Sequence, residues 1–158
     1  MRLETPFGPV WAAVNESGAL TALGFGEPKQ EGGFSAALAQ QLAEYFDGKR
    51  GRFELPLAPA GSDFQKQVWA QLQLIPLGES ISYAELARRV GRPGAARAVG
   101  RANATNPIAL IVPCHRVIGS GGKLTGYAYG VDLKDKLLAW ERHTRTALAP
   151  SAPMPSKD

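Results

Sequence analysis

The chain has 158 residues, a formal net charge of +4, 44% hydrophobic residues and 20% charged residues. That length suits one ordinary domain or two small ones, and that composition supports a packed core rather than wholesale disorder. One cysteine and two histidines exclude a disulfide scaffold and leave too few Cys/His ligands for a four-coordinate structural zinc site.

The opening Met1-Arg2-Leu3-Glu4-Thr5-Pro6 lacks the apolar core of a signal peptide, and no apolar run approaches the roughly 20 residues that cross a bilayer. With an unpaired thiol, these features predict a soluble cytoplasmic protein with no membrane partner. Pro9–Val14 and Leu20–Phe25 are short apolar runs around Asn15-Glu16-Ser17-Gly18, which predicts a β-hairpin. Ser35 is a suitable N-cap for a helix carrying Leu38, Leu42, Tyr45 and Phe46 at helical spacing, and Gly48 ends it. Arg52-Phe53-Glu54-Leu55 alternates and predicts another strand. Pro56–Ser62 reads as a linker, so residues 1–62 form a small N-terminal α/β domain with its linker.

The second domain, residues 63–149, starts helical. Ser62 or Asp63 caps a helix whose apolar face is Phe64, Val68, Trp69, Leu72 and Ile75, and Pro76-Leu77-Gly78 ends it. Ser82 caps a short helix over Tyr83–Val90. Gly91-Arg92-Pro93-Gly94 is a tight turn, and Ala95–Asn103 is a second short helix. Two short helices joined by a glycine-containing turn form the helix-turn-helix pattern. Asn106-Pro107 interrupts the chain before the buried run Ile108–Val112. Asp132 caps a last helix with Leu133, Leu137, Leu138 and Trp140 inward. Three prolines in Ala149–Asp158 predict a disordered tail over residues 150–158. No internal repeat is present.

Charge is uneven. Met1–Ser62 holds five Lys/Arg against seven Asp/Glu, whereas Ala84–Lys123 holds seven against one. A localised basic surface points to a polyanion, nucleic acid first, or to a solvated basic face. Cys114 lies between Pro113 and His115 at the end of an apolar segment. A lone cysteine is commonly a small buried hydrophobe. Here an adjacent imidazole and the charge of Arg116 are suited to holding a thiolate, directly or through water. Gly119-Ser120-Gly121-Gly122 leaves room for a ligand beside the backbone. His143 lacks such company and is expected to be exposed.

Asn106-Pro107-Ile108-Ala109-Leu110-Ile111-Val112-Pro113-Cys114-His115-Arg116-Val117-Ile118-Gly119 closely resembles the signature of the O6-alkylguanine-DNA alkyltransferases. So do Gly122-Lys123-Leu124-Thr125-Gly126-Tyr127, the spacing of Lys134, Leu138 and Glu141, and upstream Ser82-Tyr83 with Leu86-Ala87 and Ala95–Gly100. The resemblance is strong from Phe64 to about Glu141 and looser in the first domain, through Thr5-Pro6 and Pro9.

It implies an α+β fold: an N-terminal domain with an antiparallel sheet and helix, ribonuclease H-like in the family, and a mostly helical, winged-helix-like second domain. It implies one-time alkyl transfer from O6 of guanine, with O4-alkylthymine as a further substrate left open. Cys114 would be the nucleophile, His115 the base acting through a water, and Glu141 its orienter. Tyr83 would donate to the minor-groove edge of the base, and Asn106 would brace the turn. The carbonyls of Cys114 and Val117 would accept from the guanine amine, and the N–H of Ala128 would donate to the alkylated oxygen. Tyr127 and Lys134 complete the substrate site by their place in the motif. Arg97 would fill the stack left by an extruded base, from a helix laid in the minor groove of double-stranded DNA. Ala95 and Ala96, with Ala98, Gly100 and Ala102, are small enough for that groove, and Arg88, Arg89, Arg92 and Arg101 would meet phosphates.

The family resemblance implies no cofactor and a monomer, with cooperativity along DNA left open; the zinc ligands of some relatives are missing. Tyr129 stands where relatives usually carry glycine, which leaves the accepted alkyl size open. The residues by themselves also leave open a non-catalytic helix-turn-helix regulator or lesion sensor, and a cysteine hydrolase.

Overall fold

The computed structural model describes residues 2–28, 33–122 and 126–148. The expected tail over residues 150–158 and the motif residues Lys123, Leu124 and Thr125 lie outside them. Three strands, β1 (Arg2–Thr5), β2 (Gly8–Val14) and β3 (Leu20–Phe25), form an antiparallel sheet in the order β1-β2-β3. The hairpin β2–β3 turns as its sequence demands. The Asn15 carboxamide accepts from the N–H groups of Ser17 and Ala19, and Gly18 takes a positive φ of 85° that a side chain would resist. The strand β1 was not anticipated. Its Arg-Leu-Glu-Thr run has little apolar content, and its turn is made by Thr5, whose hydroxyl donates to the Gly8 carbonyl at 2.6 Å.

Helix α1 (Ala36–Phe46) begins where Ser35 accepts from the Leu38 N–H, as its sequence predicts, and buries Leu38, Leu42 and Tyr45. The strand expected at Arg52–Leu55 does not form. The Gln41 side chain takes both backbone groups of Glu54 at 2.9 and 3.0 Å, so a side-chain amide replaces a ladder partner there. The chain then pairs briefly with the sheet. Leu20 donates to the Pro56 carbonyl and accepts from the Ala58 N–H.

Helix α2 (Asp63–Leu72) starts in a capping box, Ser62 with Gln65, so Ser62 rather than Asp63 is the cap. Its Trp69 indole donates to the Ala102 carbonyl at 2.8 Å, locking α2 onto α4. Helices α3 (Tyr83–Arg89, capped by Ser82) and α4 (Ala96–Ala104) form the helix-turn-helix. A two-residue strand β4 (Ile81–Ser82) pairs in parallel with β5 (Val117–Ile118). Helix α5 (Val131–Leu148) starts one residue before Asp132, which therefore sits in the first turn rather than at the cap. Its buried face includes Leu137 and Leu138, with Leu133 and Trp140 partly buried. One contiguous core joins the sheet, α1, α2, α4 and the run Ile108–Val112.

Two ties bind the N-terminal sheet and helix to the segment around Cys114. Strand β3 clasps the approach to it, with Leu23 donating to the Pro107 carbonyl and accepting from the Ala109 N–H. Tyr45 of α1 reaches Glu141 of α5.

Candidate active site

The segment 106–114 is bent back on itself by hydrogen bonds its sequence supplies. Leu110 takes a φ of +72°, rare for a side chain of its size, and Ile111 donates to Ala109 across it in a three-residue turn. Pro113, with φ −80° and ψ 68°, makes a second such turn in which Cys114 donates to Val112. Asn106 sews the bend together. Its amide donates to the carbonyls of Val112 (2.8 Å) and Ile108 (3.3 Å), and its oxygen accepts from the Ile108 N–H. The strain at Leu110 is held by these bonds, and the result is a rigid ledge carrying Cys114.

Cys114, His115 and Arg116 form a single 3-10 turn, all buried. Burial pushes the Cys114 thiol up from its ordinary value, while a hydrogen bond from Asn106 and the nearby charge of Lys134 pull it down. Lys134 is buried, and its own ammonium is pulled down by desolvation while the thiol's charge raises it. Asn106, Lys134 and the backbone of Cys114 itself thus favour the ionised sulfur. Arg116, expected to add charge there, turns away. It donates twice to Glu141 (2.8 and 2.9 Å) and once to the Ile75 carbonyl (2.6 Å).

His115 meets Glu141 through Nε2 at 2.8 Å with both side chains fully buried. Burial pushes the Glu141 carboxyl up, but the charges and hydrogen bonds of His115 and Arg116 outweigh it and leave the group well below the usual carboxylate range. An ionised carboxylate can only accept, so Nε2 carries the proton and Nδ1 is left as the basic nitrogen. Nδ1 has no hydrogen-bond partner among the described residues. Sequence reasoning missed two neighbours. The Tyr45 hydroxyl donates to Glu141 Oε2 at 2.5 Å, and the Asn103 amide donates to the Cys114 carbonyl at 3.3 Å. That carbonyl also accepts from the Val117 N–H, so it already has two donors where the resemblance gave it a guanine amine.

Cys114 opens into a cavity of about 710 Å³. One wall is α4 with Ala96, Arg97, Gly100, Arg101 and Asn103; the others include Tyr83, Asn106, Tyr127, Ala128 and Tyr129. The helix bearing Arg97 and the sulfur therefore face one space. Val117 is buried in β5, Lys134 is buried with its charge acting on Cys114, and neither lines the cavity. Tyr129 is fixed by the first domain. Its ring lies 5.4 Å from Phe25 and 5.7 Å from Tyr127, and its hydroxyl fills the space a Cβ on Gly24 would need.

Arg97 and Arg101 are exposed, Ala95, Ala96 and Ala98 are partly exposed, and Ala102 is buried in the core. Arg88 and Arg89 both bond to Glu85 of their own helix, and Arg92 stacks over the Phe64 ring at 5.1 Å. His143 is exposed, as expected. Among the described residues, no group of three or more His, Cys, Asp or Glu could hold a metal ion.

Two family models together account for nearly the whole chain. The 6-O-methylguanine DNA methyltransferase, ribonuclease-like domain matches residues 2–59, and the DNA binding domain of the same family matches residues 63–143. The chain belongs to the 6-O-methylguanine DNA methyltransferase family. Within that family it is 50% identical over 151 residues to the methylated-DNA–protein-cysteine methyltransferase of Methanosarcina barkeri, covering 89% of this chain and 95% of that one. The Mycobacterium tuberculosis protein of the same name is 47% identical over 150 residues, covering 89% and 90%. The solved structure of Mycobacterium tuberculosis OGT in complex with DNA superposes with a TM-score of 0.84 at 44% identity, covering 90% of this chain and 92% of that one. The α+β architecture expected from the motifs is thereby established for both parts of the methyltransferase fold.

Proposed function

We propose that Cys114 is the acceptor of the alkyl group in this chain's repair of O6-alkylguanine in double-stranded DNA. The activity class comes with the family: direct and irreversible methyl transfer from O6-alkylguanine to a protein cysteine. One observation supports this acceptor. The sequence holds a single cysteine, and that residue lines the cavity shared with the helix-turn-helix.

The sulfur attacks the alkyl carbon, the carbon–oxygen bond breaks, and its electron pair stays with the base. The thiol's proton leaves through water to Nδ1 of His115, whose ring Glu141 holds in the required tautomer. Tyr83, on the cavity wall, donates to the minor-groove edge of the base as negative charge builds there. The backbone of Ala128 donates to the oxygen, and Val117 accepts from the exocyclic amine. Asn106 and Lys134 oppose the burial that keeps the thiol protonated. The product is a thioether, which water does not cleave, so each molecule acts once.

The target oxygen lies on the major-groove edge of a stacked base, so the nucleotide must leave the stack to meet Cys114. The placement of Arg97 at the cavity mouth supports its use as the filler of the gap. The small residues Ala95, Ala96, Ala98 and Gly100 support entry of α4 into a minor groove about 6 Å wide, with some widening. Arg101 and Arg92 meet phosphates directly, and Arg88 and Arg89 do so in competition with Glu85. The protein acts as a monomer without a cofactor. A reducing cytoplasm keeps its lone thiol available.

The test is the intact mass of the chain after exposure to a duplex containing O6-methylguanine. Cys114 should gain one methyl group, at no more than one per chain, and Cys114→Ala should bind DNA without gaining mass. More repaired bases than protein molecules would exclude the scheme. Binding with no mass gain in the unaltered chain would make it a regulator.

A further inference from the structure

Glu141 is the meeting point of four donor hydrogens. Its Oε1 accepts from Arg116 Nε at 2.8 Å. Its Oε2 accepts from Arg116 Nη2 at 2.9 Å, from His115 Nε2 at 2.8 Å and from the Tyr45 hydroxyl at 2.5 Å. Three of these groups belong to the catalytic turn or to α5. Tyr45 comes from α1, 96 positions away in sequence. A buried hydroxyl needs a partner, and many carbonyls would serve; this one shares the oxygen that faces the catalytic imidazole.

We infer that Tyr45 is a positioning residue for alkyl transfer, setting through Glu141 how strongly His115 draws the proton from Cys114. The inference rests on the reading of Cys114 and His115 given above. A carboxylate oxygen divides its electron density among its donors. Each hydrogen bond from Tyr45 or Arg116 leaves less for the imidazole, so Oε2 stabilises a proton arriving on His115 less than an unshared oxygen would. Arg116 is a fixed cation. Tyr45 is a neutral donor, and burial, followed by the charge of Glu141, holds its phenol well above the ordinary range, so it donates at every working pH.

The other groups that sense Glu141 are accounted for. His115 and Arg116 lie on the catalytic turn. Tyr127, on the segment before α5, is also pushed well above its ordinary value, by burial first and then by Cys114, Tyr129 and Glu141. Both phenols therefore stay neutral. The Tyr45 ring is held independently of its hydroxyl, 4.9 Å from Phe46, 5.3 Å from Phe53 and 4.9 Å from Trp140. The oxygen can be removed while the packing stays. With the clasp of β3 on Pro107 and Ala109, this bond gives the N-terminal domain a chemical task at the active site.

The experiment is Tyr45→Phe, read by two rates across acid to mildly alkaline pH. One is alkylation of the single cysteine by iodoacetamide; the other is single-turnover methyl transfer from an O6-methylguanine duplex. With the phenol gone, Oε2 pulls harder on the imidazole proton. The acid limb of both profiles should move up by about half a pH unit, because the imidazolium persists to higher pH, about a threefold loss in rate at the acid end relative to the plateau. Site-specific replacement of Tyr45 by a fluorotyrosine, a stronger donor of nearly the same shape, should move the limb the opposite way. In a Glu141→Gln background, Tyr45→Phe should produce no shift of the iodoacetamide profile. A midpoint that stays put while the rate is unchanged or falls evenly at every pH overturns the inference and leaves Tyr45 a packing residue. A shifted iodoacetamide profile in a chain whose Cys114 takes no methyl from DNA supports the role of Tyr45 and overturns the acceptor assignment instead.

Discussion

Glu85 and Glu141 each gather two basic side chains at 2.6–2.9 Å, one on the helix-turn-helix surface and the other beneath the catalytic turn. Both carboxyls are held below their ordinary value. At Glu85 the hydrogen bonds of Arg89 and then Arg88 do this with little opposition from burial. At Glu141 a large burial penalty is overcome by His115 and Arg116. The same pairing therefore serves opposite ends. Water can replace any member of the outer cluster, so its arginines remain free to change partner. Nothing can replace Glu141, so its cluster has one arrangement. With Cys114 as the proposed acceptor, rigidity falls where the nucleophile must be aimed, and exchangeability where a long polyanion must be gripped at many positions.

Replacing Glu141 is the severest way to break this comparison. Glu141→Gln leaves the Arg116 guanidinium buried without a counter-ion and is expected to lower stability by about 3–5 kcal/mol, measured by chemical denaturation. Methyl transfer should be lost even under conditions where the variant is folded. The sign with pH follows from the depressed carboxyl. Its contribution is complete above the unfolded value, about 4.3, and disappears as pH falls through the lower folded value. The stability gap between the two proteins should therefore close in acid.

Arg97→Ala tests the outer region at the point nearest the cavity. Transfer should slow by about tenfold or more, since unstacking a base costs a few kcal/mol, while binding to undamaged DNA weakens much less. Equal loss in both assays would reduce Arg97 to an ordinary phosphate contact.

The two regions were also unequally legible in the sequence. The outer one is local: Ser82 capping α3, the Gly91–Gly94 turn and the alanines of α4 act within a few residues of one another, and their pattern is visible without a fold. Cys114, His115 and Glu141 were accessible through the spacing of a known motif. The other partners of Glu141 were not. Tyr45 occupies a helical core position with Leu38 and Leu42, where an aromatic ring reads as packing, and only the fold reveals where its hydroxyl points. Arg116 reads as one more positive charge beside the thiol until the Ile75 carbonyl and Glu141 are seen to claim it. The Arg52–Leu55 alternation misled for a similar reason, since its backbone partner is the Gln41 side chain from another element.

Tyr129 lies between the two extremes, half-buried on the cavity wall and held by Phe25 and Gly24 of the first domain. Tyr129→Gly should speed reaction with an O6-benzylguanine substrate severalfold and leave O6-methylguanine transfer nearly unchanged, read as a ratio of single-turnover rates. A ring that instead stacks on bulky groups would reverse the ratio.

The smallest expected effect comes from the surface glutamate, whose side chain is partly buried. Glu85→Gln removes the charge that Arg88 and Arg89 now share, and both guanidiniums become available to phosphate. Binding to duplex DNA should tighten by a factor of about two at low salt, and the gain should shrink as salt is raised, because exposed pairs are weak and screened. The salt dependence of log Kd should steepen for the same reason, since more counter-ions are released per complex. Methyl transfer at saturating DNA should not change, because the bonds of Glu85 run to Arg88 and Arg89 of its own helix. A change in that saturated rate would mean that the two clusters communicate, and the separation between a rigid interior and an exchangeable surface would fail.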